Sequence, residues 1–292
     1  MIPKQVFYMW CGPAKPVDVE MCVLSWRQNL PGYKIIEINE QSTEYFDFAK
    51  ARQENAFFDF VCRNKIWAVA ADFVRFSVLE KFGGIWLDTD VTVTRDFDDM
   101  LNNGMFFGRD DENKEHVEAA VIGSAPHNAA VQDMLKFYDD EIWHSELYTG
   151  PRVATEILKR HGFNPQNKGI VKFEDISVYP PEYFFPFALD TKFEPTCLTN
   201  ETRTIHWWKA SWSKLSMTNW LKNKHIIGKE KAVRINLNDA MGIYLFSFLR
   251  VATYYPSEGK ITLCGLPFIK IKKQKNKCKA MLFGCIPLLK WK

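Results

Sequence analysis

Two carboxylates are the residues of this chain whose type and spacing most directly suggest chemistry. Asp88 and Asp90 have one residue between them and directly follow the short apolar run 85–87. Side chains alternate along an extended chain, so we expect both carboxylates on the same side. Carboxylate oxygens are ligands that Mg²⁺ and Mn²⁺ prefer, and such a cation can hold a diphosphate. The spacing suits a divalent-cation site, although a bare Asp-x-Asp is more often a pair of solvated carboxylates in a turn.

The segments before these carboxylates would hold them in place. Residues 65–82 carry apolar side chains at helical spacing, which predicts a helix. Gly83 or Gly84 can adopt the left-handed conformation that ends a helix without a Cβ clash. The run 85–87 is too short for a helix and suits a buried strand. This order of helix, glycine turn and strand favours the cation site over the solvated turn.

Asp72 and Arg75 form a second candidate pair. They lie three residues apart in the predicted helix, so their side chains are neighbours on one face. As an exposed ion pair they would contribute roughly a few tenths of a kcal/mol. Beside a sugar, Arg75 could instead orient Asp72 to accept hydrogen bonds from hydroxyl groups. The spacing alone favours the surface ion pair.

The start of the chain predicts a βαβ unit. Residues 5–10 read as a strand, Asp18 is placed to cap a helix that reaches residue 29, and residues 33–38 read as a second strand. This order is typical of a parallel sheet, which binds ligands at the carboxyl ends of its strands. Trp10 would lie at such an end. It is either a stacking platform for a nucleobase or a core side chain, and the pattern does not separate the two.

His206 is the last candidate ligand. It ends the short strand predicted at 205–206 and is followed by three tryptophans: Trp207, Trp208 and Trp212. A lone histidine is more often structural than a ligand. A histidine screened from water by aromatic side chains nevertheless suits a metal or phosphate site.

Charge divides the chain into two parts. Residues 1–221 carry 23 Lys and Arg against 32 Asp and Glu, whereas residues 222–292 carry 15 against 3; the net charges of −9 and +12 give the overall +3. We therefore expect a catalytic domain at 1–220 and a basic amphipathic extension at 221–292. The seven cysteines form no CxxC pair, which predicts a reducing, cytoplasmic setting rather than a disulfide framework.

The extension contains a repeat. Residues 263–272 and 283–292 each place large apolar side chains around a proline and end in Lys-x-Lys, and residues 235–255 read as an apolar helix. We expect the extension to bind the anionic inner face of a membrane. The alternatives are a β-hairpin packed on the catalytic domain and a solubilising tail. Nucleic acid is the less favoured partner, since the body is acidic and no arginine follows residue 250.

Together these residues resemble glycosyltransferase family 32, the DXD-containing sugar transferases, across about residues 1–215. The motifs that carry the resemblance are Ile2-Pro3-Lys4, Trp10, Ala71-Asp72-x-x-Arg75, Gly83-Gly84-Ile85-Trp86-Leu87-Asp88-Thr89-Asp90 and His206-Trp207-Trp208-x-x-Ser211-Trp212. The family is similar to the glucosylating cores of large clostridial toxins. The resemblance implies an α/β protein with a GT-A, Rossmann-like sheet flanked by helices. It also implies a nucleotide-sugar donor, Mn²⁺ or Mg²⁺, and retention of anomeric configuration.

The resemblance also implies roles for the residues that bind the donor. Trp10 would stack on the nucleobase. Asp72 and Arg75 would hold the hexose, and Ser211 and Trp212 would close over the diphosphate. A UDP-hexose is the favoured donor, because the likeness to the toxin cores covers these positions.

The same resemblance implies the metal ligands. Asp90 would bind the metal directly, and Asp88 would contact the metal or the ribose. His206 is the third ligand we favour. The family commonly has His-His-Trp where this chain has Ile205-His206-Trp207, and Lys209 stands where a small residue is usual, so the third ligand stays open.

The function implied is transfer of a hexose to a saccharide or lipid-linked acceptor in the synthesis of a cell-surface polysaccharide such as capsule or lipopolysaccharide. Two alternatives remain at this point. Residues 87–92 also fit the opening motif of haloacid-dehalogenase phosphatases, with Asp88 as nucleophile, although that motif normally lies near the start of its domain. The other alternative is a non-catalytic module that binds nucleotide sugars or carbohydrates.

Overall fold

The computed structural model describes residues 1–12, 14–41, 43–209 and 221, and the backbone of six strands between 241 and 291. The chain divides into two compact units. The first contains Met1–Cys62 and Ile66–Val233, and the second contains Arg63–Lys65 and Arg234–Lys292. The predicted domain boundary at residue 220 lies outside the described residues and stays a prediction.

The described part of the first unit alternates strands and helices. Its strands are β1 (Gln5–Met9), β2 (Lys34–Ile38), β3 (Gly84–Leu87), β4 (Val91–Val93), β5 (Met105–Gly108), β6 (Glu118–Ser124), β7 (Val171–Phe173), β8 (Ile176–Tyr179) and β9 (Thr204–His206). Its helices are α1 (Val17–Asn29), α2 (Phe48–Glu54), α3 (Ala56–Arg63), α4 (Trp67–Phe82), α5 (Ala129–Asp139), α6 (Gly150–Arg160) and α7 (Pro181–Phe184).

Seven of these strands form one twisted sheet in the order β2-β1-β3-β6-β5-β8-β7, and β4 pairs with β9 separately. The predicted α/β class and βαβ start are confirmed, because β1 pairs in parallel with both β2 and β3. The sheet is mixed rather than wholly parallel. β6 is antiparallel to β3 and β5, because the short connection between β5 and β6 allows only a return of the chain.

Helices cover both faces of the sheet. Phe7 and Tyr8 are consecutive in β1 and therefore point to opposite faces. The Phe7 ring lies 6.2 Å from that of Phe82 in α4, and the Tyr8 ring lies 5.1 Å from that of Trp26 in α1. Helices α1 and α4 thus lie on opposite faces, which gives the three layers expected for this class.

Helix α1 begins differently from the prediction. It starts at Val17, and Pro16 occupies the cap position with no side-chain hydrogen bond. Asp18 is in the first turn, where its carboxylate accepts a hydrogen bond from the N–H of Val19 at 2.9 Å. The prediction of Asp18 as the cap is wrong because the fixed φ of proline already suits the residue that enters a helix. Asp18 still stabilises this end of the helix through the dipole.

The glycine pair that ends α4 has the expected left-handed backbone. Gly83 has φ 62° and Gly84 has φ 107°. The N–H of Gly83 donates to Leu79 at 2.9 Å, which closes the helix. A Cβ on Gly84 would lie 2.8 Å from the carbonyl oxygen of Gln5 in the neighbouring strand. The turn therefore needs glycine both for its backbone angles and for the close approach of β1.

The second unit is an antiparallel meander. Its strands are β10 (Met241–Leu245), β11 (Leu249–Tyr255), β12 (Lys260–Leu263), β13 (Leu266–Gln274), β14 (Lys277–Leu282) and β15 (Ile286–Trp291), paired in that order. The predicted helix at 235–255 is wrong for the described residues 241–245 and 249–255. This stretch is rich in β-branched and aromatic residues, which favour strands. No helix among the described residues is long and apolar enough to cross a membrane.

We predict that Gly84→Ala lowers the free energy of unfolding by about 2–5 kcal/mol, since an unfavourable φ and a backbone clash add together. Gly32→Ala is the matched control. Gly32 also has positive φ, at 81°, but a Cβ there meets nothing within 4 Å. We expect Gly32→Ala to lower the free energy of unfolding by only about 1–2 kcal/mol. Urea unfolding of both variants checks this, and equal losses would show that crowding between β1 and β3 has no effect.

Candidate active site

Asp88 and Asp90 lie in a tight turn after β3. The N–H of Asp88 donates to Ala120 of β6 at 2.9 Å, and the N–H of Val91 donates back to Asp88 at 3.1 Å. The expectation of an extended chain through Asp90 is therefore wrong, because the turn and not strand alternation directs both carboxylates. The side chain of Asp88 is 32% exposed and that of Asp90 is 15% exposed. These are partly buried groups and not solvated turn carboxylates.

His206 joins these two carboxylates through strand pairing. It ends β9 directly opposite Val91, the first residue of β4. One ligand atom from each of Asp88, Asp90 and His206 lies within 4.8 Å of the others. The Nε2 atom of His206 is 3.3 Å from Oδ1 of Asp90. Ligand atoms about 2.0–2.2 Å from one ion stand about 3–3.6 Å apart, so these side chains fit a divalent cation.

The charges of Asp90 and His206 stabilise each other. Burial would raise the pKa of Asp90, but His206 and the N–H of Lys209 hold it below its ordinary value. Burial would lower the pKa of His206, but Asp90, Asp88 and Glu118 raise it above 6.5. In the metal-free protein this ion pair exists between the two shifted pKa values. A bound cation would need neutral His206, so metal binding would release a proton.

Arg75 is buried and holds Asp88 in place. Its guanidinium donates to Oδ1 of Asp88 at 2.8 Å and also to the carbonyl oxygen of Ala119 in β6. It lies over the ring of Trp86, and the Trp86 indole N–H donates to the same Oδ1 at 2.7 Å. The interpretation of Arg75 as half of a surface ion pair is wrong. Its side chain is only 4% exposed, and a charge buried to this extent needs partners that compensate it.

Asp72 is also buried and faces the start of α6. Its carboxylate accepts a hydrogen bond from the N–H of Gly150 at 2.7 Å, and it lies 3.3 Å from the guanidinium of Arg75. Burial raises the pKa of Asp72 to about 6, and the charge of Arg75 and the Gly150 hydrogen bond limit the rise. Arg75 thereby connects Asp72 to Asp88. Sequence spacing placed Asp72 beside Arg75 but gave no sign of this connection.

Trp10 lies where the prediction places it. It follows β1 at the carboxyl end of the sheet, and its N–H donates to Ile38 at the end of β2 at 3.0 Å. The ring is partly buried and packs against the apolar core. This position fits both interpretations, a core side chain and a platform for a nucleobase.

The segment after His206 wraps around the turn. The N–H of Trp207 donates to the backbone of Asp90 at 2.9 Å, and the N–H of Lys209 donates to its carboxylate at 3.0 Å. The ring of Trp208 lies 4.1 Å from that of His206. The ammonium group of Lys209 pairs with Asp18 at the start of α1. Ser211 and Trp212, predicted to close over a diphosphate, lie outside the described residues.

Two residues near the turn were not predicted as site residues from the sequence. Glu118 begins β6, and its charge acts on His206. Lys209 contacts Asp90 through its backbone, which no side-chain pattern reveals. Only the pairing of β6 with β3 and of β9 with β4 brings these residues to the same edge.

Comparison with known proteins identifies the class of protein that this site defines. Residues 16–107 match the family described as a glycosyltransferase sugar-binding region containing a DXD motif. An uncharacterized glycosyltransferase of Acanthamoeba polyphaga mimivirus is 36% identical over 245 residues, which are 78% of this chain and 91% of the viral protein. The chain therefore belongs to the DXD-containing glycosyltransferases, and it is a transferase rather than a phosphatase or a non-catalytic module.

Other relatives are more distant. Lactosylceramide 4-alpha-galactosyltransferase of Rattus norvegicus is 26% identical over 159 residues, and the match spans 48% of this chain and 40% of the rat enzyme. Among solved structures, the PaToxG glycosyltransferase aligns with a TM-score of 0.45 and 19% identity over 55% of this chain and 68% of its own. The glycosyltransferase GlyE of Streptococcus pneumoniae aligns with a TM-score of 0.43 and 14% identity, over 80% of this chain and 62% of GlyE. The mixed sheet flanked by helices and the family membership together define a GT-A fold.

The raised pKa of His206 yields a prediction for the metal-free protein. A group whose pKa is raised on folding stabilises the fold at pH values below its pKa in the unfolded chain. This stabilisation is lost as the pH rises through its pKa in the folded protein. Asp90→Asn removes the partner that raises the pKa of His206 most, so burial should then lower this pKa relative to that of the wild-type protein. Histidine ring NMR across pH checks this. His161, whose partners Asp133 and Glu174 are unaffected, should not move, and an unchanged His206 would contradict the ion pair.

Proposed function

We propose that the protein is a metal-dependent hexosyltransferase. It moves a hexose from a nucleotide sugar, with UDP-hexose favoured, to a saccharide or lipid-linked acceptor in the synthesis of a cell-surface polysaccharide. The observation that carries the proposal is the convergence of Asp88, Asp90 and His206 at the carboxyl edge of the sheet. This is where α/β sheets bind nucleotides.

The residues of the turn have distinct tasks in this proposal. Asp90 and His206 would hold Mn²⁺ or Mg²⁺, and Asp88 would hold the metal or the ribose. A bound cation supplies positive charge that neutralises the leaving diphosphate. Arg75 fixes the orientation of Asp88, because its guanidinium is anchored to the backbone of β6.

The donor sugar is assigned to the pair on α4. Asp72 and Arg75 lie beside Asp88, so a hexose held by them would have its anomeric carbon near the diphosphate. Trp10 stacks on the base, and Ser211 and Trp212 cover the diphosphate. The rings of Trp207, Phe187 and Phe193 pack together next to the turn and would help to exclude water.

We further infer that the reaction retains anomeric configuration. The support is the resemblance to the toxin cores, together with the absence of any sequence motif for a covalent nucleophile. In a front-face reaction the leaving phosphate oxygen takes the proton of the acceptor hydroxyl as the new glycosidic bond forms. The protein then needs only to position both substrates and to stabilise developing charge.

The printed name of the rat relative adds support for the substrate classes. That enzyme is a galactosyltransferase that acts on lactosylceramide. This name supports a hexose donor and a lipid-linked sugar acceptor as the substrate classes proposed for this chain. Nucleic acid is not proposed as a partner.

We predict that Asp90→Asn reduces transfer by about 10²-fold or more, because the variant loses a charged metal ligand. Chelation of divalent cations should abolish wild-type activity, and Mn²⁺ should restore it. Asp190→Asn is the matched control, since Asp190 is exposed. The measurement is acceptor-stimulated release of nucleoside diphosphate from a panel of nucleotide sugars. Full activity in chelator would refute the metal assignment.

We also propose that the second unit holds the enzyme at the cytoplasmic face of a membrane. The unit has a net positive charge, and nine lysines with no acidic residue follow Glu258. Each lysine near an anionic surface contributes about 1 kcal/mol at best, so several together give reversible binding that weakens with salt.

Charge reversal in the meander tests this proposal with the full chain. We predict that Lys270→Glu, Lys272→Glu and Lys290→Glu together reduce co-sedimentation with phosphatidylglycerol vesicles at least about tenfold. The control reverses three exposed lysines of the first unit: Lys50, Lys136 and Lys192. Transfer to a soluble acceptor should persist. Wild-type protein that never sediments, or equal effects of both triple variants, would show that the meander is not the anchor.

A further inference from the structure

A second group of metal-ligand side chains lies at the same edge of the sheet, outside the site described above. Asp110 and His116 lie in the connection between β5 and β6, and Glu118 begins β6. Gly108 and Glu118 are paired across the two strands, so the connection folds back on itself. One ligand atom from each of the three side chains lies within 4.8 Å of the others. We propose that these residues bind a second divalent cation.

The spacing of the three side chains fits coordination. Nε2 of His116 is 3.5 Å from Oδ1 of Asp110 and 3.8 Å from Oε1 of Glu118. Both distances are longer than the donor–acceptor distance of a good hydrogen bond, which is about 2.7–3.2 Å. They are close to the roughly 3.3–3.6 Å that separates two ligands of a tetrahedral ion with bonds of about 2.0–2.2 Å. A small inward movement of Glu118 completes the geometry.

Asp110 points an unsatisfied oxygen into this group. Its side chain is only 4% exposed, and Oδ2 is held by the ammonium group of Lys114 at 2.6 Å. Oδ1, the atom nearest His116, is buried and has no hydrogen-bond partner among the described residues. A buried carboxylate oxygen without a partner is unfavourable, and more so when the group is charged. A cation would satisfy it, and Lys114 leaves that oxygen available.

His116 is suited to be a ligand rather than the cationic half of an ion pair. Burial lowers its pKa, and Lys114 and Arg152 add to this, against the opposing charge of Asp110. The neutral imidazole has a lone pair to offer to a metal. Its side chain is 35% exposed, which gives an ion a path from solvent. One nitrogen and two carboxylate ligands favour Mn²⁺ or Zn²⁺ over Ca²⁺.

The second group adjoins the turn of Asp88 and Asp90. The N–H of Asp88 donates to the carbonyl oxygen of Ala120, and Glu118 lies two residues before Ala120, at the start of β6. Burial raises the pKa of Glu118 to about 7, and the charges of Asp110 and Asp88 contribute, against that of His206. A cation here would relieve this repulsion. It would also fix the β5–β6 connection beside the proposed donor site, without being one of the metal ligands proposed there.

Counting bound Mn²⁺ tests the proposal on the full-length protein. Equilibrium dialysis with detection of free Mn²⁺ by electron paramagnetic resonance should give two ions per wild-type chain. His116→Gln and Glu118→Gln should each bind one ion, and Asp90→Asn should also bind one. Asp90→Asn combined with Glu118→Gln should bind none. His144→Gln is the matched control, because His144 is exposed and distant in sequence from both groups.

The results separate this inference from the proposed function. A wild-type chain that binds one ion and loses it only in Asp90→Asn would overturn the second site. Retention of two ions by both His116→Gln and Glu118→Gln would overturn it as well. An ion that survives Asp90→Asn and is lost in Glu118→Gln supports the second site even where transfer proves independent of metal. A wild-type chain that binds no ion would overturn the second site without any substitution. His116→Gln and Glu118→Gln remove different ligands of that site, so either variant decides the outcome if the other fails to fold.

Discussion

The buried guanidinium of Arg75 is the interaction on which the rest of the site depends. It joins Asp72 on α4, Asp88 after β3 and the backbone of β6, and it lies over the ring of Trp86. Removing one partner of such a buried pair costs about 3–5 kcal/mol, because the other charge is left uncompensated. The turn of the DXD motif is therefore held rigidly before any ligand binds, which lowers the cost of binding a donor in one orientation.

The mixed sheet explains why so many charged groups meet at one edge. The carboxyl ends of β1 and β3 lie beside the start of β6, which runs the other way. The separate pairing of β4 with β9 then adds His206 from more than one hundred residues later. Each of these carboxylates is partly buried, and their repulsion is offset by Arg75, His206 and Lys114. An edge with this balance attracts cations and phosphates bound to cations.

The two units have opposite charge, and this separation fits a division of tasks. The acidic first unit contains the DXD turn and accounts for the family match. The basic second unit is a meander whose strands pair with their sequence neighbours. The two copies of the repeat seen in the sequence lie largely in β13 and β15.

The sequence by itself determined the local features. The glycine pair, the short strand and the Asp-x-Asp spacing depend only on backbone preferences and neighbouring residues, so the turn and the family could be predicted from them. Tertiary structure decided which distant side chains meet. Asp72 and Arg75 looked like a surface pair because their burial depends on β6 and α6, which spacing does not reveal. Asp110, His116 and Glu118 were invisible for the same reason, since strand register alone brings them together.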